Sequence, residues 1–205
     1  MPPISRRHML GTAAALLAGG LAACGGSGDD ATPPRTTLLV YLLGSNLESM
    51  GNAGTTNLLE MLAAQGSAYT RVIITTGGAD KRDPGGLVSS WKTVKRFELA
   101  NGALKELADL GARDMDSSDT LQDFLTWGVR TYPAERTMLA LWDHGSGYYG
   151  YGGDENYPGE GKMMSLPAMA GALQGFKAAT GVTLDYIGFD ACLMATLEVA
   201  KMLQP

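Results

Sequence analysis

Residues 36–43 read Thr36-Thr-Leu-Leu-Val-Tyr-Leu-Leu43, eight residues without a charge. An unbroken apolar run of this length predicts a strand covered on both faces, the habit of parallel sheets flanked by helices. Three more largely apolar, strand-like runs follow: Thr70–Thr76 (TRVIITT), Thr137–Trp142 (TMLALW) and Leu184–Phe189 (LDYIGF), with one charge each in the first and the last, Arg71 and Asp185. Between them lie helix-spaced apolar positions. Leu58, Leu59, Met61 and Leu62 fall in 52–65, and Leu121, Phe124, Leu125 and Val129 fall in 120–131. Ser117-Ser118-Asp119 supplies caps for the latter, and Ser165 with Pro167 opens a helix running to about Ala179. Ala191–Leu203 reads as a final helix. Gly44-Ser45-Asn46 reads as a turn after the first strand. Ser89–Leu99 alternates, with Trp91, Val94 and Phe97 among polar residues, and Asn101-Gly102 reads as a hairpin turn. Strands separated by helices place the chain in the α/β class, with a mostly parallel sheet and helices on both faces.

The amino terminus reads as an address. Arg6-Arg7 precede a short apolar stretch from Leu10, too short to span a bilayer, and Leu21-Ala-Ala-Cys24 has the pattern of a bacterial lipobox. Residues 1–23 are thus expected to be a lipoprotein signal peptide, with Cys24 as the lipid acceptor. The competing reading is a plain signal peptide with an incidental Cys. Ser5-Arg6-Arg7-His8-Met9-Leu10 also resembles a twin-arginine export signal. The Gly-, Ser- and Pro-containing stretch over 24–35 reads as a flexible tether, and the folded domain is expected over 36–205. The expected location is the bacterial cell envelope, with the chain held to the membrane through the lipid on Cys24.

Formal net charge is −5, and removal of Arg6 and Arg7 takes it to −7. Such a surface argues against nucleic acid as a partner. The chain has only two Cys, Cys24 and Cys192, and only two His, His8 and His144. That excludes a disulfide framework and a Cys/His zinc site.

His144 and Cys192 each follow a predicted buried strand. Leu139-Ala-Leu-Trp142 leads into Asp143-His144-Gly145-Ser146-Gly147, and Tyr186-Ile-Gly-Phe189 leads into Asp190-Ala191-Cys192. Catalytic groups of open parallel sheets sit past the carboxyl ends of strands. The 48 residues from His144 to Cys192 leave room for one crossover helix, so the two strands could be neighbours. An imidazole beside a thiol can take its proton and generate the nucleophilic thiolate. A helix beginning at Ala191 or Cys192 would favour that thiolate with its positive end. Gly145 permits close backbone approach, and its N–H with that of Cys192 could bind a developing oxyanion. Taken singly, a Cys at a strand end is a small buried hydrophobe. The pair gains its meaning from being the only His and Cys after the lipid-acceptor position.

At these residues the sequence resembles the clostripain family of cysteine peptidases, within the caspase-like superfamily. The matching segments are Trp142-Asp-His-Gly-Ser-Gly147 and Gly188-Phe-Asp-Ala-Cys-Leu-Met-Ala195, followed by Glu198. Support comes from Leu39-Val-Tyr-Leu-Leu43, Glu60-Met61, Thr120-Leu-Gln-Asp-Phe-Leu-Thr-Trp127 and Tyr132-Pro133-Ala134. The resemblance implies a caspase-like fold (the caspase/haemoglobinase fold), with His144 as base, Cys192 as nucleophile and Gly145 as an oxyanion donor. It implies cleavage of peptides or proteins after Arg or Lys, with Asp190 as a wall of the pocket for that side chain. Asp190 could equally cap the helix expected after it. Asp143 could orient the loop, although neighbours on an extended segment point to opposite faces.

Members of the family mature by self-cleavage between the two motifs. Lys162 is the only Lys or Arg of the long loop Tyr148–Lys162, which makes it the expected cleavage point, against the reading of a solvated lysine. No cofactor is expected. Asp154, Glu155 and Glu160 could bind calcium, which some relatives use, but their spacing matches no standard loop. Family members continue well beyond the position of Pro205, so the resemblance covers the amino-terminal portion of the family domain and the fold is expected to be incomplete at its carboxyl end. The alternative to an active peptidase is a truncated, inactive lipoprotein serving as a binding or remnant domain.

Overall fold

A computed structural model describes residues 35–204, except 65, 158, 160 and 161. The signal segment over 1–23, the tether with Cys24 and the acidic side chain of Glu160 lie outside the described residues. The elements in chain order are β1 (Thr36–Leu43), α1 (Ser45–Gly51), α2 (Ala53–Ala63), β2 (Thr70–Gly77), β3 (Lys95–Ala100), β4 (Ala103–Asp109), α3 (Ser118–Thr131), β5 (Arg136–Trp142), a single 3-10 turn at Gly147–Tyr149, α4 (Leu166–Thr180), β6 (Tyr186–Asp190) and α5 (Leu197–Met202).

The six strands form one sheet in the order β4-β3-β2-β1-β5-β6. The four predicted runs become β2, β1, β5 and β6, which are mutually parallel; the last is a correction, because β6 starts at Tyr186, lies at the sheet edge and has no buried residue, where a buried strand over Leu184–Phe189 is expected. The β3–β4 hairpin adds antiparallel to β2. Its turn, Asn101-Gly102, holds both residues at positive φ (53° and 71°), which matches the twist of a two-residue hairpin.

β1 shows why its sequence has no polar break. Leu39, Tyr41 and Leu43 face a core with Leu121, Phe124 and Leu125 of α3 and Met169 and Phe176 of α4. Val40 and Leu42 face the opposite core, with Leu58 of α2, Ile74, Phe97 and the fully buried Trp91. Alternation persists along the strand, and both sides of it are dry. Helix ends follow their sequence signals. Ser117 Oγ accepts from Asp119 N, Ser165 Oγ accepts from Ala168 N, and α4 closes on Gly181 in the left-handed region. No helix among the described residues is long and apolar enough to cross a membrane.

Three expectations are corrected. Gly44-Ser45-Asn46 is not a simple turn, because Ser45 opens the short α1, which breaks from α2 at Asn52 with φ 54°. The strand expected from Ser89 begins only at Lys95, and the residues before it are bends around Trp91. The helix expected from Ala191 begins at Leu197, where Thr196 Oγ1 accepts from Val199 N. Leu193 at φ 60° interrupts any helix starting earlier.

The α3 core face depends on Phe124, whose ring centroid lies 6.0 Å from Tyr41 and 6.3 Å from Trp127. Phe124→Ala is expected to lower unfolding free energy by about 3–5 kcal/mol, read as a reduced urea midpoint.

Candidate active site

Parallel pairing fixes which loops meet. β5 runs beside β1 with Leu42 opposite Trp142, and beside β6 with Trp142 opposite Asp190. The segments after Leu43, Trp142 and Asp190 therefore leave the sheet at one edge, in the lateral order β1, β5, β6. His144 and Cys192 each stand two residues beyond the paired Trp142 and Asp190. This is the edge at which the strand ends of the sequence predict both residues.

Backbone packing joins the two loops. A Cβ placed on Gly145 would lie 2.2 Å from the carbonyl oxygen of Cys192, and one on Gly147 would lie 3.4 Å from that of Leu193. Only glycine lets the segment after His144 rest against the segment carrying Cys192. The His144 loop is also tied back on itself. Gly152 N donates to the His144 carbonyl at 3.0 Å, and the buried Tyr151 hydroxyl donates to the Trp142 carbonyl at 3.0 Å. Cys192 is an exposed free thiol. It sits on a turn with left-handed Leu193, not at a helix N-terminus, so the expected help from a helix dipole is absent.

The profile of the Clostripain family matches residues 40–205. The chain belongs to the clostripain family. Its fold is similar to that of a secreted cysteine protease of Bacteroides thetaiotaomicron in complex with an irreversible peptide inhibitor, with a TM-score of 0.62 and 20% identity over 83% of this chain and 46% of that one. A second structure of a secreted cysteine protease from the same organism gives 0.59 and 21%, over 83% and 50%. An inactive zymogen protease of Parabacteroides distasonis gives 0.60 and 23%, over 84% and 46%. The chain thus spans about half the length of these solved relatives. No match is found among curated proteins.

Within this clostripain-family domain, the side that faces β1 carries residues not singled out as site residues from the sequence. The Nε2 atom of His144 lies 2.7 Å from Oδ1 of Asn46, the second residue of α1. The neighbouring Ser45 is buried at φ 45°, and its hydroxyl donates to Asp143 Oδ1 at 2.6 Å. Asp143 points inward while His144 reaches the surface, as neighbours on an extended segment should. Burial pushes the Asp143 carboxyl from 3.8 up to about 7; the Ser45 hydroxyl and the nearby His144 N–H oppose the rise, and Asp116 and Asp154 add to it.

The remaining expected residues are spread around this centre. Asp190 ends β6 and is exposed. Lys162 is anchored by an ion pair to Asp114 and a 3.0 Å bond to the Tyr157 carbonyl, so it is not the freely solvated lysine of the competing reading. Asp154 is buried, accepting from Met115 N at 2.9 Å and Asn156 N at 2.8 Å, and Glu155 accepts from Asp80 N at 2.8 Å. Among the described residues no group of three or more His, Cys, Asp or Glu is placed to hold a metal ion.

Two outcomes follow from these contacts. Gly145→Ala forces the two loops apart and is expected to cost about 1–3 kcal/mol of stability, measured by urea unfolding. The raised Asp143 carboxyl keeps its proton in the folded state at pH values where the unfolded chain has lost it, so its contribution to stability falls as pH rises from about 4 to about 7. Asp143→Asn is expected to flatten that fall by on the order of 1–3 kcal/mol, read from unfolding free energies at pH 5 and pH 8.

Proposed function

We propose that this chain carries the catalytic dyad of a cysteine endopeptidase that cleaves after Arg or Lys, with His144 as general base and Cys192 as nucleophile. The observation that carries the proposal is the seating of the His144-Gly145 segment directly on the Cys192 carbonyl, at the sheet edge where the two strands end side by side. The exposed, unpaired state of the thiol supports it.

The steps are those of acyl transfer. The imidazole of His144 takes the thiol proton, and the thiolate attacks the scissile carbonyl carbon, forming a C–S bond. The oxyanion is received by the N–H groups of Gly145 and Cys192. Collapse breaks the C–N bond, and the imidazolium hands its proton to the departing amine. Water then hydrolyses the thioester, with the same imidazole as base. Asp190, exposed two residues before Cys192, offers the carboxylate that pairs with an Arg or Lys side chain before the scissile bond. Maturation by cleavage after Lys162 belongs to this proposal, and it requires release of the pair between Lys162 and Asp114. Lipid attachment at Cys24 and a place on the bacterial cell envelope belong to it as well, in keeping with the two solved relatives described as secreted.

The test uses the purified full chain with fluorogenic peptides bearing Arg, Lys, Ala or Glu before the scissile bond. Cleavage is expected for Arg and Lys only, to be blocked by a thiol alkylator and abolished in Cys192→Ala. In His144→Ala it is expected to fall ~100- to 10,000-fold. Intact mass should show a cut after Lys162 in wild type and none in Cys192→Ala. Well-folded chain with no alkylation-sensitive cleavage would instead mark a lipid-anchored binding or remnant domain.

A further inference from the structure

His144 has two nitrogens, and a neutral imidazole can serve as base through only one of them. The other must carry the proton, and which one does so is set by its hydrogen-bond partner. In this chain Nε2 faces a side-chain amide oxygen at 2.7 Å. An amide oxygen only accepts, so this contact requires a proton on Nε2 and leaves the lone pair on Nδ1.

The acceptor is itself held from behind. Asn46 is an exposed residue, and an exposed Asn is ordinarily free to rotate. Here it follows Ser45, which is buried in the left-handed region and pinned by its hydroxyl to Asp143 Oδ1 at 2.6 Å. The Ser45 oxygen also accepts from Leu47 N at 3.3 Å, across Asn46. Asp143 in turn immediately precedes His144. One inward carboxyl therefore fixes the segment ahead of Asn46 and the segment ahead of His144, and the two following side chains meet on the outer side. Gly153 packs alongside this group: a Cβ there would be in ordinary contact with Ser45 Cβ at 3.8 Å, Asp143 Oδ2 at 3.9 Å and the His144 ring at 3.9 Å.

We infer that Asn46 is a positioning residue that locks His144 in the Nε2–H tautomer with Nδ1 free for the Cys192 proton, and that the buried Ser45–Asp143 pair holds Asn46 in place. The catalytic half of this statement rests on the dyad proposed above; the tautomer and its cause do not.

The experiment separates the two. The full chain, labelled with ¹⁵N-histidine, is observed by long-range ¹H–¹⁵N correlation at pH 8, with His8→Gln to assign the two histidines. Wild type is expected to show one His144 tautomer, protonated at Nε2. Asn46→Ala should give a mixture of tautomers, and Asn46→Asp, which keeps an acceptor, should restore Nε2–H. Ser45→Ala should loosen the preference in the same direction as Asn46→Ala, but less. In parallel, iodoacetamide labelling of Cys192, read by peptide mass, should slow ~10-fold or more in Asn46→Ala and recover in Asn46→Asp. A wild-type His144 protonated at Nδ1, or mixed, overturns the inference. So does a tautomer unchanged in folded Asn46→Ala. The wild-type measurement decides even if a variant fails to fold. A locked Nε2–H tautomer beside a Cys192 that labels no faster than a free thiol would uphold the positioning role and remove the dyad.

Discussion

The parallel alignment of β1, β5 and β6 is the constraint on which the rest depends. Neighbouring parallel strands deliver the residues that follow them to one edge, at a spacing set by backbone hydrogen bonds and not by the side chains. With β5 in the middle, His144 is flanked by whatever follows β1 on one side and whatever follows β6 on the other. Those residues are Asn46 and Cys192. Their sequence separations are large, and loop closure on that scale is costly unless the sheet itself supplies the closure. The two cores do so, one on each face of β1, through Leu39, Tyr41 and Leu43 toward α3 and α4 and Val40 and Leu42 toward α2.

Much of this was legible in the sequence because buried parallel strands write themselves as uninterrupted apolar runs. The strands Thr36–Leu43, Thr70–Gly77 and Arg136–Trp142 all lay within a residue or two of the runs that announced them. The edge position of His144 and Cys192 followed from strand ends alone. Asn46 was not legible as a partner of His144, because Gly-Ser-Asn after a strand has the composition of any turn and the two lie 98 residues apart. The same distance hid the Ser45–Asp143 bond. The turn carrying Cys192 was hidden for a different reason. Leucine seldom adopts positive φ, so nothing in Cys192-Leu193-Met194 warns that helix formation is delayed to Thr196.

The site also shows how adjacent residues divide work on an extended segment. Asp143 turns into the protein and is held near neutrality by burial, while His144 turns out and meets Asn46. Gly145 then brings the backbone against Cys192. Three consecutive residues thus anchor, orient and approach, and each does so through a different part of its structure: a carboxyl group, a ring nitrogen and the lack of a side chain.

The two edges of the sheet are unequal. β4 carries Lys105 and Glu106 in exposed positions and a bulge opposite Arg96 and Phe97, features that discourage another strand from adding there. β6, Tyr186-Ile-Gly-Phe-Asp190, has no bulge in its pairing with β5, and its one charge is at its end. The edge open to pairing with a further strand is therefore the one beside Cys192. A segment pairing there would lie beside Cys192, whereas the Asn46–His144 contact lies on the opposite side of β5, out of its reach.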